Sequence, residues 1–364
     1  MSITKIVITG GPCAGKTTGM TWIQNAFTER GYTVLFVSES ATELISGGIA
    51  PWTCISNADY QRHQMHLQLE KERIYEDAAA HMPAEKVLIV CDRGALDNKA
   101  YMTDAEFAAV LDEIGMSEVE LRDGYDAVFH LVTAAKGAEE FYTTENNTAR
   151  TETAQQAAAL DEKLIAAWTG HPHLRIIDNS TDFDGKMRNL IAEISGLLGE
   201  PVPYEIERKF LIEYPDIEAL ESLPNCQRVE IIQTYLQPGA DEDEEIRIRQ
   251  RGCDGNYLYY ETRKRRISGL KRIEVEQRLT QQEYLRLLMN ADTTRHAIRK
   301  TRYCLTSGSR YFEIDIYPFW NDQAIMEIEL LKEDQEIRFP EQINVIREVT
   351  DDPDYTNAAL SMKH

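Results

Sequence analysis

The chain has 364 residues, of which 43% are hydrophobic and 27% are charged, and its formal net charge is -22 at pH 7. This length excludes a single small domain and is sufficient for two domains of ordinary size, each with its own core. The acidic balance argues against a nucleic-acid backbone or an anionic membrane surface as the main partner, because both attract basic proteins. A local basic pocket remains compatible with it.

The cysteines and the apolar runs of the sequence indicate the cellular compartment of the protein. The six cysteines include no C-x-x-C pair, which in a chain of this length indicates reduced thiols rather than a disulfide framework. The N-terminal "MSITKIVITGG" has an apolar run too short for a signal peptide, and no later stretch approaches the ~18 apolar residues of a membrane span. We therefore expect a cytoplasmic protein with no integral membrane segment.

The first part of the chain alternates short apolar runs with helical patterns, which predicts βα units on a doubly wound parallel sheet. Five candidate strands are KIVIT (5–9), TVLFVS (33–38), KVLIVCD (86–92), DAVFHLV (126–132) and HLRIID (173–178). Two stretches without Gly or Pro, 59–82 and 154–168, have helical composition. The sequence thus predicts an α/β domain at 1–200.

A change of pattern marks the second domain. Gly199, Pro201 and Pro203 make a short stiff connection, and we place the second domain at 204–364. Beyond the connection, apolar residues alternate with charged ones, which is the period of β-strands. Eight candidate strands begin near residues 204, 227, 245, 256, 270, 297, 309 and 323. This pattern predicts an antiparallel β domain with a few helices.

The segment "GGPCAGKTT" follows the first strand, opens a helix and contains G-x-x-x-x-G-K-T. In that context backbone N–H groups curl around phosphates, Lys16 reaches the terminal phosphates, and the Thr17 hydroxyl ligates Mg²⁺. A chance Gly-rich turn is disfavoured by the order strand, loop, helix. The predicted phosphate-binding residues are Gly10, Gly11, Pro12, Cys13, Ala14, Gly15, Lys16, Thr17 and Thr18.

Four polar residues at other predicted element ends have two open interpretations each. Asp92 either holds Mg²⁺ and assists a nucleophile or caps a helix or turn. Glu39 is a base or substrate contact, or a solvated loop residue. Arg150 is a lid arginine that closes on the transferred phosphate, or a surface arginine. Asn179 contacts a nucleobase or serves in a turn.

The motifs "GGPCAGKTT", "VSESAT", "DRGALD" and "HLRIIDNSTDF" together resemble the kinase side of the P-loop superfamily, in particular the NadR-like AAA families. The resemblance covers residues 3–199. It implies binding of ATP or GTP with Mg²⁺ and phosphoryl transfer to a small acceptor. It leaves open which nucleotide and which acceptor are used.

In the second domain, charged residues recur on one parity of strand after strand, as in "IRIRQR", "RIEVE", "FEIDI" and "MEIEL". For any single strand, one wet face of an antiparallel sheet explains this alternation. Eight strands can also close into a barrel, and the charged parity then lines its interior. Arginine suits phosphate oxygens, and repeated pairs of acids call for a cation between them.

The segment "EIERKF" matches the E-x-E-x-K opening of the CYTH, or triphosphate tunnel metalloenzyme, superfamily, and the resemblance runs over residues 204–332. It implies a closed eight-stranded tunnel that hydrolyses an inorganic or organic triphosphate with Mg²⁺ or Mn²⁺. The implied metal ligands are Glu205, Glu207, Asp315, Glu327 and Glu329. The implied phosphate-binding residues are Lys209, Arg247, Arg249, Lys264, Lys300 and Arg302. Parity also places Arg272, Glu274, Glu276 and Glu313 in the tunnel.

Two functions follow from these patterns. The first is a bifunctional enzyme, in which a Mg²⁺-dependent NTPase or small-molecule kinase is joined to a metal-dependent triphosphatase. Its catalytic residues are then Glu39, Asp92, Glu205, Glu207 and Lys209. The alternative is a nucleotide-dependent switch whose CYTH domain binds a phosphorylated ligand without turnover, because the fused domain order also resembles a class of regulatory proteins.

Overall fold

The computed structural model describes residues 2–138, 153–200, 206–237, 244–268, 271–308, 310–330 and 335–363. The chain divides into two compact units, Met1–Glu200 and Pro201–His364. Pro201 and Pro203 of the predicted connection lie outside the described residues. Within the described ranges, no helix combines the length and the apolar character needed to cross a membrane.

A five-stranded parallel sheet forms the centre of the first unit, as predicted. The strands are β1 (Ser2–Thr9), β2 (Thr33–Val37), β3 (Lys86–Asp92), β4 (Ala127–Leu131) and β5 (Leu174–Ile177). Their order is β2-β3-β1-β4-β5, and each pair of neighbours is parallel. The chain therefore changes direction across the sheet at β1, and the carboxyl ends of β1, β3 and β4 meet beside the crevice where such sheets bind ligands.

Seven helices are described in the first unit. They are α1 (Lys16–Thr28), α2 (Ser40–Ser46), α3 (Asn57–Ala80), α4 (Asp104–Ile114), α5 (Glu118–Arg122), α6 (Ala154–Trp168) and α7 (Phe183–Leu197), with a 3₁₀ helix at Ala95–Tyr101. Both predicted helical stretches are present, as α3 and α6. Local sequence sets where α6 begins, because Thr153 and Gln156 form a reciprocal capping box there.

Helices cover both faces of this sheet. Phe27 of α1 and Ile194 of α7 belong to one buried cluster with Ile8 of β1. On the opposite face, Lys5 of β1 forms an ion pair of 3.2 Å with Glu72 of α3. Successive residues of a strand point to opposite faces, so burial on both sides explains why these strands read as continuous apolar runs.

The second unit contains a nine-stranded antiparallel sheet. Its strands are β6 (Ile206–Glu213), β7 (Cys226–Tyr235), β8 (Glu244–Cys253), β9 (Asn256–Ser268), β10 (Lys271–Leu279), β11 (Ile298–Ser307), β12 (Arg310–Ile316), β13 (Gln323–Leu330) and β14 (Val345–Glu348). The first eight begin within two residues of the predicted positions. The ninth was not predicted, because four residues are too few to show a strand period.

The predicted closure into an eight-stranded barrel requires correction. The strand order is β10-β9-β8-β7-β11-β12-β13-β6-β14, and in the described part of the chain no pairing joins the two ends of this order. The physical reason lies at β6, because β13 pairs with one of its edges and β14 with the other. The short ninth strand therefore occupies the edge that closure would use.

Both faces of this sheet are nevertheless buried. One face carries apolar side chains such as Phe210, Phe312 and Met326, each no more than 3% exposed. Helix α8 (Ile217–Glu221) contributes Leu220 to the same cluster. Two further helices, α9 (Gln281–Leu288) and α10 (Asn357–Lys363), complete the described helices of this unit. The opposite face is the charged one, and it is therefore not an ordinary wet face.

Candidate functional site

The predicted phosphate loop joins β1 to α1 through three residues with positive φ. Gly10 has φ 144°, Cys13 has φ 57° and Gly15 has φ 91°. A Cβ at Gly10 would collide with the carbonyl oxygen of Leu131, so only glycine fits there. Lys16 is the first residue of α1. The loop thus presents the amino end of a helix to the crevice, which is the arrangement that binds phosphate.

Asp92 lies beside this loop, because β3 pairs with β1 in a register that sets Asp92 opposite Ile8. Its Oδ1 atom is buried and has no hydrogen-bond partner among the described residues. Burial raises the pKa of Asp92, while the Lys16 ammonium opposes that rise. A buried carboxylate oxygen without a donor fits a Mg²⁺ ion or its bound water. Thr17 is an exposed residue in the first turn of α1, and its role as a Mg²⁺ ligand stays a prediction.

Glu39 is paired rather than solvated. Arg93, whose φ is 70°, donates from Nε to Glu39 Oε1 at 2.6 Å and from Nη1 to Asp97 Oδ2 at 3.1 Å. Burial acts to raise the pKa of Glu39, but Arg93 and Lys16 lower it to about 2. Glu39 is therefore a weak base, and it is better suited to accept a hydrogen bond from a substrate hydroxyl than to remove its proton.

Asp97 is a site residue that the sequence did not single out. Its Oδ2 accepts from the Thr9 hydroxyl at 2.7 Å, and its Oδ1 accepts from Trp168 Nε1 at 2.6 Å. Because it also holds Arg93, it links the end of β1 to the end of α6. The spacing of the two acids in "DRGALD" is the only local signal for this role.

Two other predictions on this unit have different outcomes. Asn179 donates from Nδ2 to the carbonyl oxygens of Thr133 and Lys136 at 2.8 and 2.7 Å, and its Oδ1 accepts from Lys186 at 2.8 Å. These contacts favour the turn interpretation, since both ends of the amide are engaged. Arg150 lies outside the described residues, so its role as a lid arginine stays a prediction.

Strand pairing in the second unit brings the predicted charges onto one face. Glu207 lies opposite Glu329, and Lys209 lies opposite Glu327. Residues directly opposite each other share a face, and the same relation continues through Arg302 opposite Asp315. The remaining pairings that extend this face are Glu327 with Glu313, Arg302 with Val229, Gln233 with Arg249, Tyr235 with Arg247 and Arg247 with Thr262.

The centre of this charged face is a dense ion-pair network. Lys209 Nζ lies 2.6 Å from Glu327 Oε1, and Lys300 Nζ lies 2.5 Å from Asp315 Oδ2. Arg302 Nη2 donates to Glu327 Oε2 at 3.0 Å. Burial raises the pKa of Asp315, but Arg302 and Lys300 bring it below its ordinary value. The pKa of Glu327 is likewise lowered by Lys209, Lys300 and Arg302 against the effect of burial.

These contacts divide the predicted metal ligands into two groups. Both oxygens of Asp315 and both oxygens of Glu327 contact cationic side chains. Glu207 also lies beside a cation, since Lys209 Nζ is 2.8 Å from its Oε1, but it shares that ammonium with Glu327. Burial and the charge of Glu327 raise the pKa of Glu207 against the opposing effect of Lys209, so a second cation beside this carboxylate is favoured.

The two remaining acids of the predicted metal set are Glu329 and Glu205. Glu329 is an exposed residue opposite Glu207, and Glu205 lies outside the described residues. Within the described ranges, no group of three potential ligand side chains is close enough to hold a metal ion. Glu207 and Glu329 offer carboxylate oxygens, the ligand type that suits Mg²⁺ or Mn²⁺, and the role of Glu205 stays a prediction.

The other basic residues lie on β8 and β9. Arg249 donates from Nη2 to Glu276 Oε2 at 2.5 Å, and the Thr262 hydroxyl donates to the same oxygen at 3.1 Å. Arg247 follows on the same face, two residues away along β8. Lys264 pairs with Glu245 along the backbone, and its side chain is not among those that the structure describes. The face thus carries cations from both halves of the sheet.

Two family profiles match the chain. The AAA_28 family, described as an AAA domain, matches residues 5–186, which is half of the chain. The CYTH family, described as a CYTH domain, matches residues 203–346. The inorganic triphosphatase of Nitrosomonas europaea is 33% identical over 162 residues, which cover 43% of this chain and 97% of that protein. The chain belongs to the AAA_28 and CYTH families.

Solved structures also match part of the chain. A crystal structure of an inorganic triphosphatase is 30% identical and covers 44% of this chain and 95% of that chain, with a TM-score of 0.31. A protein of Pyrococcus horikoshii OT3 is 23% identical and covers 36% of this chain and 80% of that chain, with a TM-score of 0.28. The two family profiles and the Nitrosomonas europaea relative confirm the predicted resemblances to a P-loop AAA domain and to a CYTH domain.

Proposed function

We propose that the CYTH unit hydrolyses a triphosphate, inorganic or carried on an organic group, with the help of a divalent cation. The observation that carries this proposal is the strand register, which sets Lys209, Arg302 and Arg249 on one buried face together with Lys300 and Arg247. These side chains already contact acids of the same face, and together they offer a row of donors for the oxygens of a linear triphosphate. The similarity to the Nitrosomonas europaea enzyme supports the same substrate class.

The side chains of this face perform the binding and stabilising steps. In the structure Lys209 and Arg302 neutralise Glu327, and on binding they direct part of their donors to phosphate oxygens. As the bond to the terminal phosphorus breaks, negative charge develops on the bridging oxygen, and the cations offset it. Glu207 and Glu329, with Glu205 as the family resemblance implies, would hold a divalent cation, which would supply charge neutralisation and a more acidic water.

The test is phosphate release from inorganic triphosphate with Mg²⁺ or Mn²⁺, measured for the full chain and for Glu207→Gln. We expect turnover by the native protein and a loss of at least about 100-fold in the variant, because a metal ligand is removed. Glu213→Gln is the matched control, since Glu213 lies on the same strand and contacts Asn344 instead. If the native protein releases no phosphate from any of several triphosphates, the proposal is wrong.

For the AAA_28 unit we infer Mg²⁺-dependent binding of ATP or GTP, with transfer of the terminal phosphoryl group to water or a small acceptor. The loop of left-handed residues that leads into α1 supports this inference. The orphan oxygen of Asp92 and the ion pair between Glu39 and Arg93 support it further. Lys16 lies among these groups, and burial together with Arg93 lowers its pKa, while the carboxylates of Asp92 and Glu39 act to raise it.

The variant Lys16→Ala distinguishes the activities of the two units. We expect it to abolish nucleotide binding, measured by calorimetry with ATP and GTP, and to leave triphosphatase activity unchanged. Lys163→Ala, at an exposed position of α6, is the control for removal of a positive charge. A screen of the native protein, Lys16→Ala and Glu207→Gln then assigns each activity to its unit. Retained nucleotide affinity in Lys16→Ala contradicts the assignment of the phosphate loop.

A further inference from the structure

Asp161 of α6 contacts the beginning of the phosphate loop, 150 residues away in sequence. Its side chain is fully buried, and its Oδ1 accepts hydrogen bonds from Gly11 N at 2.9 Å and Thr133 N at 3.1 Å. The same oxygen lies 3.0 Å from His130 Nε2. One carboxylate oxygen thus joins α6, the loop and the end of β4.

The next loop residues are held from the same side. The Thr133 hydroxyl donates to the carbonyl oxygen of Pro12, and Ala134 N donates to the carbonyl oxygen of Cys13 at 3.4 Å. Asp161 orients Thr133 through its backbone N–H. Gly11, Pro12 and Cys13 belong to no helix or strand that could supply their hydrogen bonds. Groups outside the loop supply these bonds instead.

The identity of residue 11 fits this contact. The phosphate-loop motif requires glycine at its first and sixth positions, which are Gly10 and Gly15, and accepts other residues at Gly11. A Cβ at Gly11 would lie 2.9 Å from Asp161 Oδ1 and 3.1 Å from Asp161 Cβ. Glycine is therefore needed here because Asp161 approaches closely, rather than because of the motif.

The surroundings keep Asp161 ionised. Burial acts to raise its pKa, but His130, the N–H of Gly11 and Lys136 lower it below the ordinary value. Lys136 Nζ lies 3.6 Å from Oδ2. A hydrogen bond to a charged acceptor is stronger than one between neutral groups, so the loop is held by a charge-assisted contact.

We propose that Asp161 is a positioning residue for the phosphate loop. It holds the first residues of the loop in place, so that the backbone amides after Cys13 already point towards the nucleotide phosphates before the nucleotide binds. This inference rests on the proposed nucleotide binding of the AAA_28 unit. Without Asp161 the loop must be ordered by the nucleotide itself, and the entropy cost of that ordering appears as weaker binding.

The experiment measures the Kd of Mg²⁺-ATP and Mg²⁺-GTP for the full chain and for Asp161→Ala, Asp161→Asn and Gly11→Ala. We expect Kd to rise about tenfold or more in Asp161→Ala, because an anchored N–H is left without a partner. Asp161→Asn keeps an acceptor oxygen and should recover part of the loss. Gly11→Ala should resemble Asp161→Ala, since its methyl group displaces the same carboxylate.

Asp123→Asn is the matched control. Asp123 is an equally buried acid of the same unit, and Arg122 Nε lies 2.7 Å from its Oδ1. It should lower thermal stability without changing Kd. Thermal unfolding of each full-length variant shows whether the mutated unit is folded. If Asp161→Ala does not fold, the Kd values of Asp161→Asn and Gly11→Ala test the proposal.

The outcomes are distinct. Tight binding by the native chain with unchanged Kd in the Asp161 and Gly11 variants overturns the role of Asp161 and leaves nucleotide binding intact. Equal losses in Asp161→Ala and Asp123→Asn also overturn it, because they indicate general destabilisation. If the native chain binds neither nucleotide, the proposed nucleotide binding fails, and the inference about Asp161 fails with it.

Discussion

Arg302 donates to both oxygens of Asp315, from Nε to Oδ1 and from Nη2 to Oδ2, each at 2.7 Å. Asp315 also forms an ion pair with Lys300 and is fully buried. Its two oxygens are thus used to orient two cations of the charged face. This geometry favours a positioning role for Asp315 over the metal-binding role that sequence resemblance implies.

Asp315→Asn tests that distinction. Removal of one partner from a buried ion pair costs about 3–5 kcal/mol of unfolding free energy, so we expect a lower Tm. We also expect a loss of about 10–100-fold in kcat/KM for triphosphate, because Lys300 and Arg302 are no longer held in place. The Mn²⁺ concentration that gives half-maximal activity should stay unchanged. A shift in that concentration, as expected for Glu207→Gln, would instead make Asp315 a metal ligand.

Neighbouring residues of β6 provide a test of the charged face. Lys209 contacts Glu327 on that face, whereas Arg208 points to the other side and pairs with Glu348. Lys209→Met should raise the KM for triphosphate by about tenfold or more, since a charge-assisted phosphate contact is lost. Arg208→Met should change it less than twofold, because a partly exposed ion pair contributes little. Steady-state kinetics give the KM of both variants. Equal increases in KM contradict the assignment of Lys209 and Arg208 to opposite faces of the sheet.

Gly10→Ala tests the shape of the phosphate loop. Its φ of 144° and the nearby Leu131 carbonyl oxygen leave no room for a methyl group, so the loop must move and nucleotide affinity should fall at least about tenfold. Gly31→Ala is the control, because Gly31 has φ 84° but open space around it. Calorimetry with Mg²⁺-ATP should show normal affinity for Gly31→Ala. A comparable loss of nucleotide affinity in the two variants would show that backbone strain at a positive φ, rather than the shape of the phosphate loop, causes the loss.

Glu39→Gln tests the ion pair with Arg93 through the pH dependence of stability. The pKa of Glu39 is lowered to about 2 in the folded chain, so its contribution is present above the ordinary range of about 4.3 and is lost as the pH falls toward 2. At pH 7 the variant should be less stable by at most about 3 kcal/mol. Chemical denaturation at several pH values should show this difference shrinking below pH 4.5. A difference that is constant with pH rules out the charge of Glu39 as its cause.

Several parts of the fold were predictable because their signals are local. The alternation in strands such as β8 and β13 is contained within eight to ten residues, and the phosphate-loop motif is contained within nine residues. The short strand β14 carries no such period. The pairing of β14 with β6, which corrects the predicted closure, depends on an edge that only the assembled sheet exposes.

Local sequence patterns predicted the type and order of the main elements, the two family memberships and most of the charged residues proposed for the candidate sites. Their partners were decided by tertiary structure, because strand register sets Lys209 opposite Glu327 and because packing of α6 sets Asp161 against Gly11. Local patterns describe which face a residue occupies, but long-range contacts are determined by how the elements pack. Asp161 therefore looks like an ordinary helical residue until the fold places it at the phosphate loop.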